Sequence, residues 1–389
     1  MSILRKAKDA VKLAIEKCLV YRQRRAEILK FKDPERVKIN ESVELTKEQE
    51  AAIDKLYLEN YGSKIPYTWH KNFMAHSGRF DAKYFPELLF IPEFEHFMNS
   101  QTHYAKVLAD KNVVPFFADA ANVRTPKVIL SSSCGMLRDA KLNKLNEEEA
   151  VEIIKNVGKV FIKPSVDSCS GRGCFVANFK EGRDDISGKV AVDLLRTLGG
   201  DFVIQECVVC HSSISEIYSG AVNTFRIITY RWKDEIIHMP VIMRIGRGGN
   251  FVDNAHAGGM FIAVDDNGMM HEKAITEFNL QFTHHPDTNV EFGKVRIPLV
   301  AKAIDAAKRM HAAVPQIGVV NWDLTIDSSG DAVLIEANTL GGSVWLPQMA
   351  HGCGPFGEHT EEVLQWLKLM KSVKPQQRKQ YAFGKIATE

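Results

Sequence analysis

Neither sign of charge dominates this 389-residue chain: 50 Lys and Arg stand against 48 Asp and Glu. A dedicated nucleic-acid binder shows a strong basic excess, so nucleic acid is not expected as a partner. No apolar run reaches the roughly 20 residues that a membrane-crossing helix needs. The first residues lack the apolar core and small-residue cleavage site of a signal peptide. Cysteine is sparse, seven in all, an odd number without framework spacing. Reduced thiols in a cytoplasmic protein are therefore expected. Cys207, Cys210 and His211 match the CxxCH haem-attachment pattern, but such attachment needs export. The plainer reading is a buried strand whose cysteines pack as small hydrophobes. A zinc site there would need Cys353 and His351 as further ligands. The P-loop pattern GxxxxGK[ST] is absent as well. What remains is an ordinary globular composition, 45% hydrophobic and 25% charged, long enough for two or three domains.

The most informative stretch is Gly318 to Gly342. An apolar run from Val319 carries Asp323, a turn signal spans residues 327–330, and a second run, residues 332–335, ends in Glu336 and Asn338. The spacing predicts a β-hairpin aiming two carboxylates and an amide at one place. Three hard oxygen ligands suit Mg²⁺, which keeps its other positions for water and phosphate oxygens. The plainer alternative is a half-buried hairpin with surface acids.

Other stretches supply a nucleotide site. Residues 105–112 read as a short helix carrying Lys111. Asn146 caps a helix over 146–154, and residues 160–165 form a strand bearing Lys163. A small-residue loop follows at once, with Ser168, Ser170, Gly171 and Gly173, and then another strand. Such a loop lets backbone N–H groups approach phosphate oxygens, with the lysine as a point charge. Residues 201–209 form an apolar strand. Residues 222–230 and 236–244 read as a hairpin of long strands, each with one arginine, Arg226 and Arg244. A charge in so apolar a strand is costly unless paired, so each meets a phosphate, a carboxylate or a core acid. Residues 246–259 form a Gly-rich loop of the kind that closes over substrates.

The N-terminal third is different in character. Residues 1–32 hold ten Lys and Arg against three acids, with Leu4, Val11 and Ile15 at helical spacing. Two readings stand: a basic helix on an anionic membrane surface, or a helix docked on the body with those three residues buried. Thr46 and Gln49 form a capping box for a helix to Tyr61. Residues 62–100 are rich in aromatics and histidine, which reads as core, with a substrate cleft as the alternative. Residues 360–370 form a last helix, and the tail from 373 to 389 is expected to fray.

The ordered set Asp110–Lys111, Ile162–Ser165, Val203–Val208, and Asp323 with Glu336 and Asn338 resembles the ATP-grasp superfamily. The layout is most similar to D-alanine–D-alanine ligases. Residues 222–226 and 253–259 look most like a sugar-transfer associated branch, linked to bacterial surface-polysaccharide gene clusters. The resemblance implies an α+β fold in which two subdomains, 105–205 and 206–372, grip ATP between antiparallel sheets. A helical, basic extension (1–104) precedes them and a tail (373–389) follows.

The resemblance also implies roles. Lys111, Lys163, Ser168, Ser170, Gly171 and Gly173 bind phosphates, and Gln205, Glu206 and Val208 hold adenine. Asp323, Glu336 and Asn338 hold Mg²⁺, Arg226 and Arg244 stabilise the transferring phosphoryl group, and Asn254, His256, Gly258, Gly342 and Ser343 face the substrate. The sequence departs from the D-alanine ligases at Asn321, where they have arginine, and at Gly341, where they have proline, so D-alanine is not the expected acceptor. The implied function is an ATP- and Mg²⁺-dependent ligase joining a carboxylate, small or sugar-linked, to an amine through an acyl phosphate. A sugar or polyol kinase and a non-catalytic nucleotide-binding module are the alternatives. The expected location is cytoplasmic, peripheral to the inner membrane surface if residues 1–32 bind it.

Overall fold

The computed structural model describes residues 3–99, 103–166 and 171–385. Two antiparallel sheets carry the architecture. The smaller contains β1 (Val128–Ser133), β2 (Met136–Asp139), β3 (Gly158–Pro164), β4 (Phe175–Lys180), β5 (Arg183–Asp184) and β6 (Phe202–Glu206), in the order β2-β1-β6-β3-β4-β5. The larger contains β7 (Thr224–Trp232), β8 (Glu235–His238), β9 (Val241–Ile245), β10 (Met260–Val264), β11 (Ala274–Ile275), β12 (Gln281–Phe282), β13 (Val319–Ile326) and β14 (Ala332–Asn338). Its order is β12-β11-β10-β9-β7-β13-β14, with β8 paired to β7. The expected second long strand of the 222–244 hairpin is broken at Pro240, which has no N–H for the ladder, so β8 and β9 pair separately with β7. This is the expected α+β, ATP-grasp architecture.

Alternation along the strands decides which residues go where. On β13, Val320, Trp322, Leu324 and Ile326 enter a core built with the amphipathic helix Val300–Ala312. On the opposite face, Val319 joins a second core, while Asn321 and Asp323 stand further along. On β7, Phe225 and Ile227 enter the first core, and Ile228, Tyr230 and Trp232 lie in the second. One face of the large sheet is thus divided between an aromatic core and a polar end. The small sheet rests on its own core, closed by helices Glu147–Ile154 and Ala191–Thr197. The Asn146 cap forms as expected, with Glu149 completing a capping box.

The aromatic N-terminal region is core. Helices α1 (Ile3–Lys30), α2 (Pro34–Glu41), α3 (Lys47–Asn60) and α4 (Thr68–Ser77) precede a helical stretch at 87–98. Trp69, Phe73, Phe85, Phe90 and Phe94 pack with Tyr230, Trp366 and Phe356. Thr46 and Gln49 make the expected capping box of α3. The tail does not fray as expected. Trp366 Nε1 donates to Tyr381 O at 2.7 Å, Phe383 joins the aromatic core, and Gly384 packs against Trp232. A glycine is required there, since a Cβ would fall 2.6 Å from the indole. Among the described residues no helix is long and apolar enough to cross a membrane.

Helix α1 docks through polar contacts, not through the residues expected to be buried. Val11 and Ile15 are 58% and 55% exposed. The side chain of Leu4 lies outside the described residues. Instead Glu16 accepts from His96 at 3.0 Å and from Arg378, and Arg24 bonds Glu93 and the Tyr61 hydroxyl. Lys30 pairs with Glu27 at 2.6 Å, and Phe31 packs edge-on against Trp69 at 4.7 Å.

Glu87 lies in this seam, 4% exposed, with Lys30 3.9 Å away and Trp69 Nε1 donating to it at 3.3 Å. Burial pushes its carboxyl from an ordinary 4.5 up to about 7, more than Lys30 pulls it back. A raised folded-state value means that the fold favours the proton. The associated stability is fully present below pH 4.5 and is lost as the pH rises through 7. We expect Glu87→Gln to be more stable than the parent at pH 8, by up to about 3 kcal/mol. The gap should close as the pH falls towards 5, as read by urea denaturation across that range.

Candidate active site

The two sheets face one another across a cavity of about 580 Å³, within the usual range for small-molecule sites. From the small sheet, β3 presents Lys159, Phe161 and Lys163 to it by alternation, while Val160 and Ile162 enter the core. Phe161 and Val176 give this wall an apolar patch beside the segment 205–210 that leads from the small sheet to the large one. Gln205, Glu206 and Val208 line the cavity there. Among the described residues, Cys207 and Val208 have no backbone hydrogen bond, so their amides and carbonyls remain for a planar hydrogen-bonding ligand. Lys111 also reaches the cavity, from the turn after helix His103–Leu108 and not from a helix as expected.

The polar end of the large sheet depends on one irregularity. Leu324 pairs with Leu334, yet Asp323 pairs with Glu336, so Ile335 is an extra residue. Continuing the Leu324 register would set Glu336 opposite Trp322, facing the core. The bulge shifts the strand by one and brings Glu336 to the face of Asp323. Asn338 lies near the same point, its Nδ2 3.5 Å from Asp323 Oδ2. Lys163 Nζ donates to the Ile335 carbonyl at 3.4 Å, tying the small sheet to this bulge. Lys111 Nζ stands 3.2 Å from Glu336 Oε1. Burial alone would push the Glu336 carboxyl up, but Lys111 and Lys163 pull it below the usual range. It is an anion at neutral pH.

Asp323 is held by both arginines. Arg226, directly opposite it on β7, approaches at 2.6 Å, and Arg244 on β9 at 3.0 Å. All three are under 10% exposed. Arg244 is fixed further by Thr224 Oγ1 at 2.7 Å, Asn254 Oδ1 at 3.2 Å and Asp253 at 3.4 Å. Asp253 accepts in turn from Thr224 N at 2.9 Å. Burial pushes the Lys163 ammonium down to about 8, against the pull of Glu336.

Lys111, Lys163, Arg226 and Arg244 thus stand against Asp323, Glu336 and Asp253, a small cationic excess that favours an anionic ligand. Asp323, Glu336 and the Asn338 amide, on adjacent strands, offer hard oxygen donors of the kind Mg²⁺ takes, with Asp323 also engaged by the two arginines. The zinc alternative does not form. Among the described residues no group of three or more His, Cys, Asp or Glu is placed for a metal. His351 bonds the Val241 carbonyl, and Cys210 lies 3.4 Å from Thr325 Oγ1.

On the other side, Gly171 comes within contact of Val252, so the glycine loop and the 246–259 loop meet across the mouth. Asn254, His256 and Ser343 line this side of the cavity. The other expected substrate glycines stand behind the wall. Gly342 packs on Phe90 and Asn321, where a Cβ would sit 2.9 and 2.8 Å away, and the Gly258 carbonyl accepts from Arg247 Nε at 2.6 Å. Gly173 packs on Pro164. Ser168 and Ser170 lie outside the described residues.

Residues from the N-terminal helices reach this site without any sequence signal. Glu95 accepts from Gly341 N at 2.8 Å and Gly342 N at 2.7 Å, setting the turn that carries Ser343. Glu277, 7% exposed, accepts from His256 Nδ1 at 2.5 Å and from Arg36 of α2 at 2.5 Å. The bond from Glu277 raises the His256 pKa, so the ring that faces the cavity is a strengthened base. The Trp345 ring stands 6.1 Å from it.

The two sheets, the hinge between them and the lysine–carboxylate–arginine set define an ATP-grasp protein. The chain belongs to the sugar-transfer associated ATP-grasp family, whose model matches residues 90–363. Comparison with curated proteins returns no match. Among solved structures the chain is similar to the VanG D-Ala:D-Ser ligase of Enterococcus faecalis, at 16% identity and a TM-score of 0.41 over 67% of this chain and 61% of that one. It is similar to the D-alanine–D-alanine ligase of Bacillus anthracis, at 16% identity and a TM-score of 0.38 over 71% and 70%. For an ADP complex of purK, N5-carboxyaminoimidazole ribonucleotide synthetase, the values are 13% and 0.38 over 64% of this chain. The chain spans only 48% of that enzyme. None of these likenesses bears on substrate.

The two candidate metal carboxylates differ in what they support. Asp323→Ala leaves the buried Arg226 guanidinium without its ion partner and Arg244 with Asp253 alone, and should lower stability by about 3–5 kcal/mol. Glu336 has a side chain 32% exposed, so Glu336→Gln should unfold at nearly the parent's denaturant midpoint. Equal losses in the two variants would contradict the description of Asp323 as the electrostatic centre.

Proposed function

We propose that this chain is an ATP- and Mg²⁺-dependent carboxylate–amine ligase that works through an acyl phosphate. Its acid is a sugar acid or amino acid, small or sugar-linked, and its setting is bacterial surface-polysaccharide synthesis. The observation that carries the reading is the convergence of Lys111, Lys163, Arg226 and Arg244 on Asp323 and Glu336, in one cavity between the two sheets. The family's association with sugar transfer supports the choice of substrate class.

A carboxylate is a poor electrophile, and phosphorylation converts it to one with a good leaving group. Lys111 and Lys163 bind the α- and β-phosphates as point charges. The apolar patch at Phe161 and Val176, with the backbone at Val208, takes the base. Mg²⁺ held by Asp323, Glu336 and Asn338 would neutralise charge on the β- and γ-phosphate oxygens. Arg226 and Arg244 are placed beside that position, where charge accumulates as the substrate carboxylate oxygen bonds the γ-phosphorus and ADP departs. The amine then attacks the acyl carbon and phosphate leaves. His256, held by Glu277, accepts the proton that the amine gives up. No side-chain nucleophile takes part, so Cys174 on the cavity wall has no chemical role in this scheme.

The decisive measurement is phosphate release from ATP with panels of sugar acids, amino acids and amines. A ligase releases phosphate only with both partners present. Transfer to a hydroxyl with no free phosphate would identify a kinase and overturn the reading. In the same assay Glu336→Gln should lose orders of magnitude in turnover with its melting temperature kept. Lys163→Ala should weaken ATP binding by about 2–5 kcal/mol, read by calorimetry.

A further inference from the structure

Helix α1 is amphipathic in two directions. The positions that meet the body are Leu13, Glu16, Val20, Arg24, Glu27 and then Phe31, spaced by three or four. The described acids of the segment, Glu16 and Glu27, stand eleven positions apart and lie on that same side. The opposite face is apolar and exposed, with Val11 at 58%, Ile15 at 55%, Leu19 at 50% and Leu29 at 46%. Lys12, Arg22 and Arg25 are exposed on and around that face, with no ion pair among the described residues. The rest of the chain carries a small excess of acids, so the basic charge is concentrated here.

We propose that the outward face of α1 is a docking surface for an anionic lipid bilayer, with the helix lying in the plane of the headgroups. An aliphatic stripe with cations around it and, among the described residues, no acid on its side matches the boundary between acyl chains and anionic headgroups. A second copy of the helix would bring two cationic faces together, which charge repulsion opposes. The stripe lacks Trp and Phe, so insertion is shallow and binding depends on the basic residues and on salt. The inference is independent of the reaction proposed for the cavity.

The test is flotation of the full-length protein with vesicles of neutral phosphatidylcholine, and with vesicles containing about one-third anionic phosphatidylglycerol. Binding is expected only to the anionic vesicles and should vanish at high salt. Ile15→Asp and the pair Lys12→Glu with Arg22→Glu alter exposed side chains only. Each should lower the bound fraction by about tenfold with the melting temperature unchanged. Absence of binding by the parent protein would overturn the proposal. So would binding that survives Ile15→Asp, because a merely cationic surface would then explain it. A dimer in light scattering that the same variants dissolve would identify the face as a contact between copies instead.

Discussion

The site rests on a one-residue irregularity. Because Ile335 is extra in the β13–β14 ladder, Glu336 crosses from the core side of the sheet to the cavity side. Without it the strand would bury a carboxylate against Trp322 and leave Asp323 alone among cations. With it, two acids stand side by side, and the displaced Ile335 carbonyl meets the Lys163 ammonium from the opposite sheet. One backbone feature thus sets the ligand pair and ties the two walls of the cavity together.

Around that feature the charges are arranged so that no ion is left uncompensated. Two guanidinium groups in apolar strands would be costly, yet Arg226 and Arg244 share Asp323, and Asp253 with Thr224 holds Arg244 in place. The cations still outnumber the acids among the groups facing the cavity. A ligand bearing negative charge is therefore favoured over a neutral one.

The N-terminal region is more than an addition to this core. Glu95 sets the turn before Ser343, and Arg36 fixes Glu277, which orients His256. Both are buried interactions of the segment that forms the aromatic core. The side of the cavity at Ser343 and His256 is therefore built jointly by the N-terminal helices and the large sheet, whereas the side at Lys163 and Glu336 is built by the two sheets.

Much of the nucleotide side was legible in the sequence. Its place at a strand end before a small-residue loop marked Lys163, the apolar run around them marked the strand arginines, the turn residues marked the hairpin of Asp323 and Glu336, and the caps at Thr46 and Asn146 form as their residues require. These depend on neighbours within a few positions, where local geometry and the period of the strand suffice. Side-chain pairs distant in sequence were not legible. Neither the bulge at Ile335, the Arg36–Glu277–His256 relay, nor the Glu95 anchor has a local pattern, because each arises from packing between distant segments. The same holds for α1 and the tail. The sequence determined that α1 is a basic amphipathic helix, but which face turns inward was decided by the buried acids and His96 of the body. The tail has no pattern of its own, and only the indole of Trp232 and the Trp366 N–H, brought together by the folded sheet and helix, give it a place to bind.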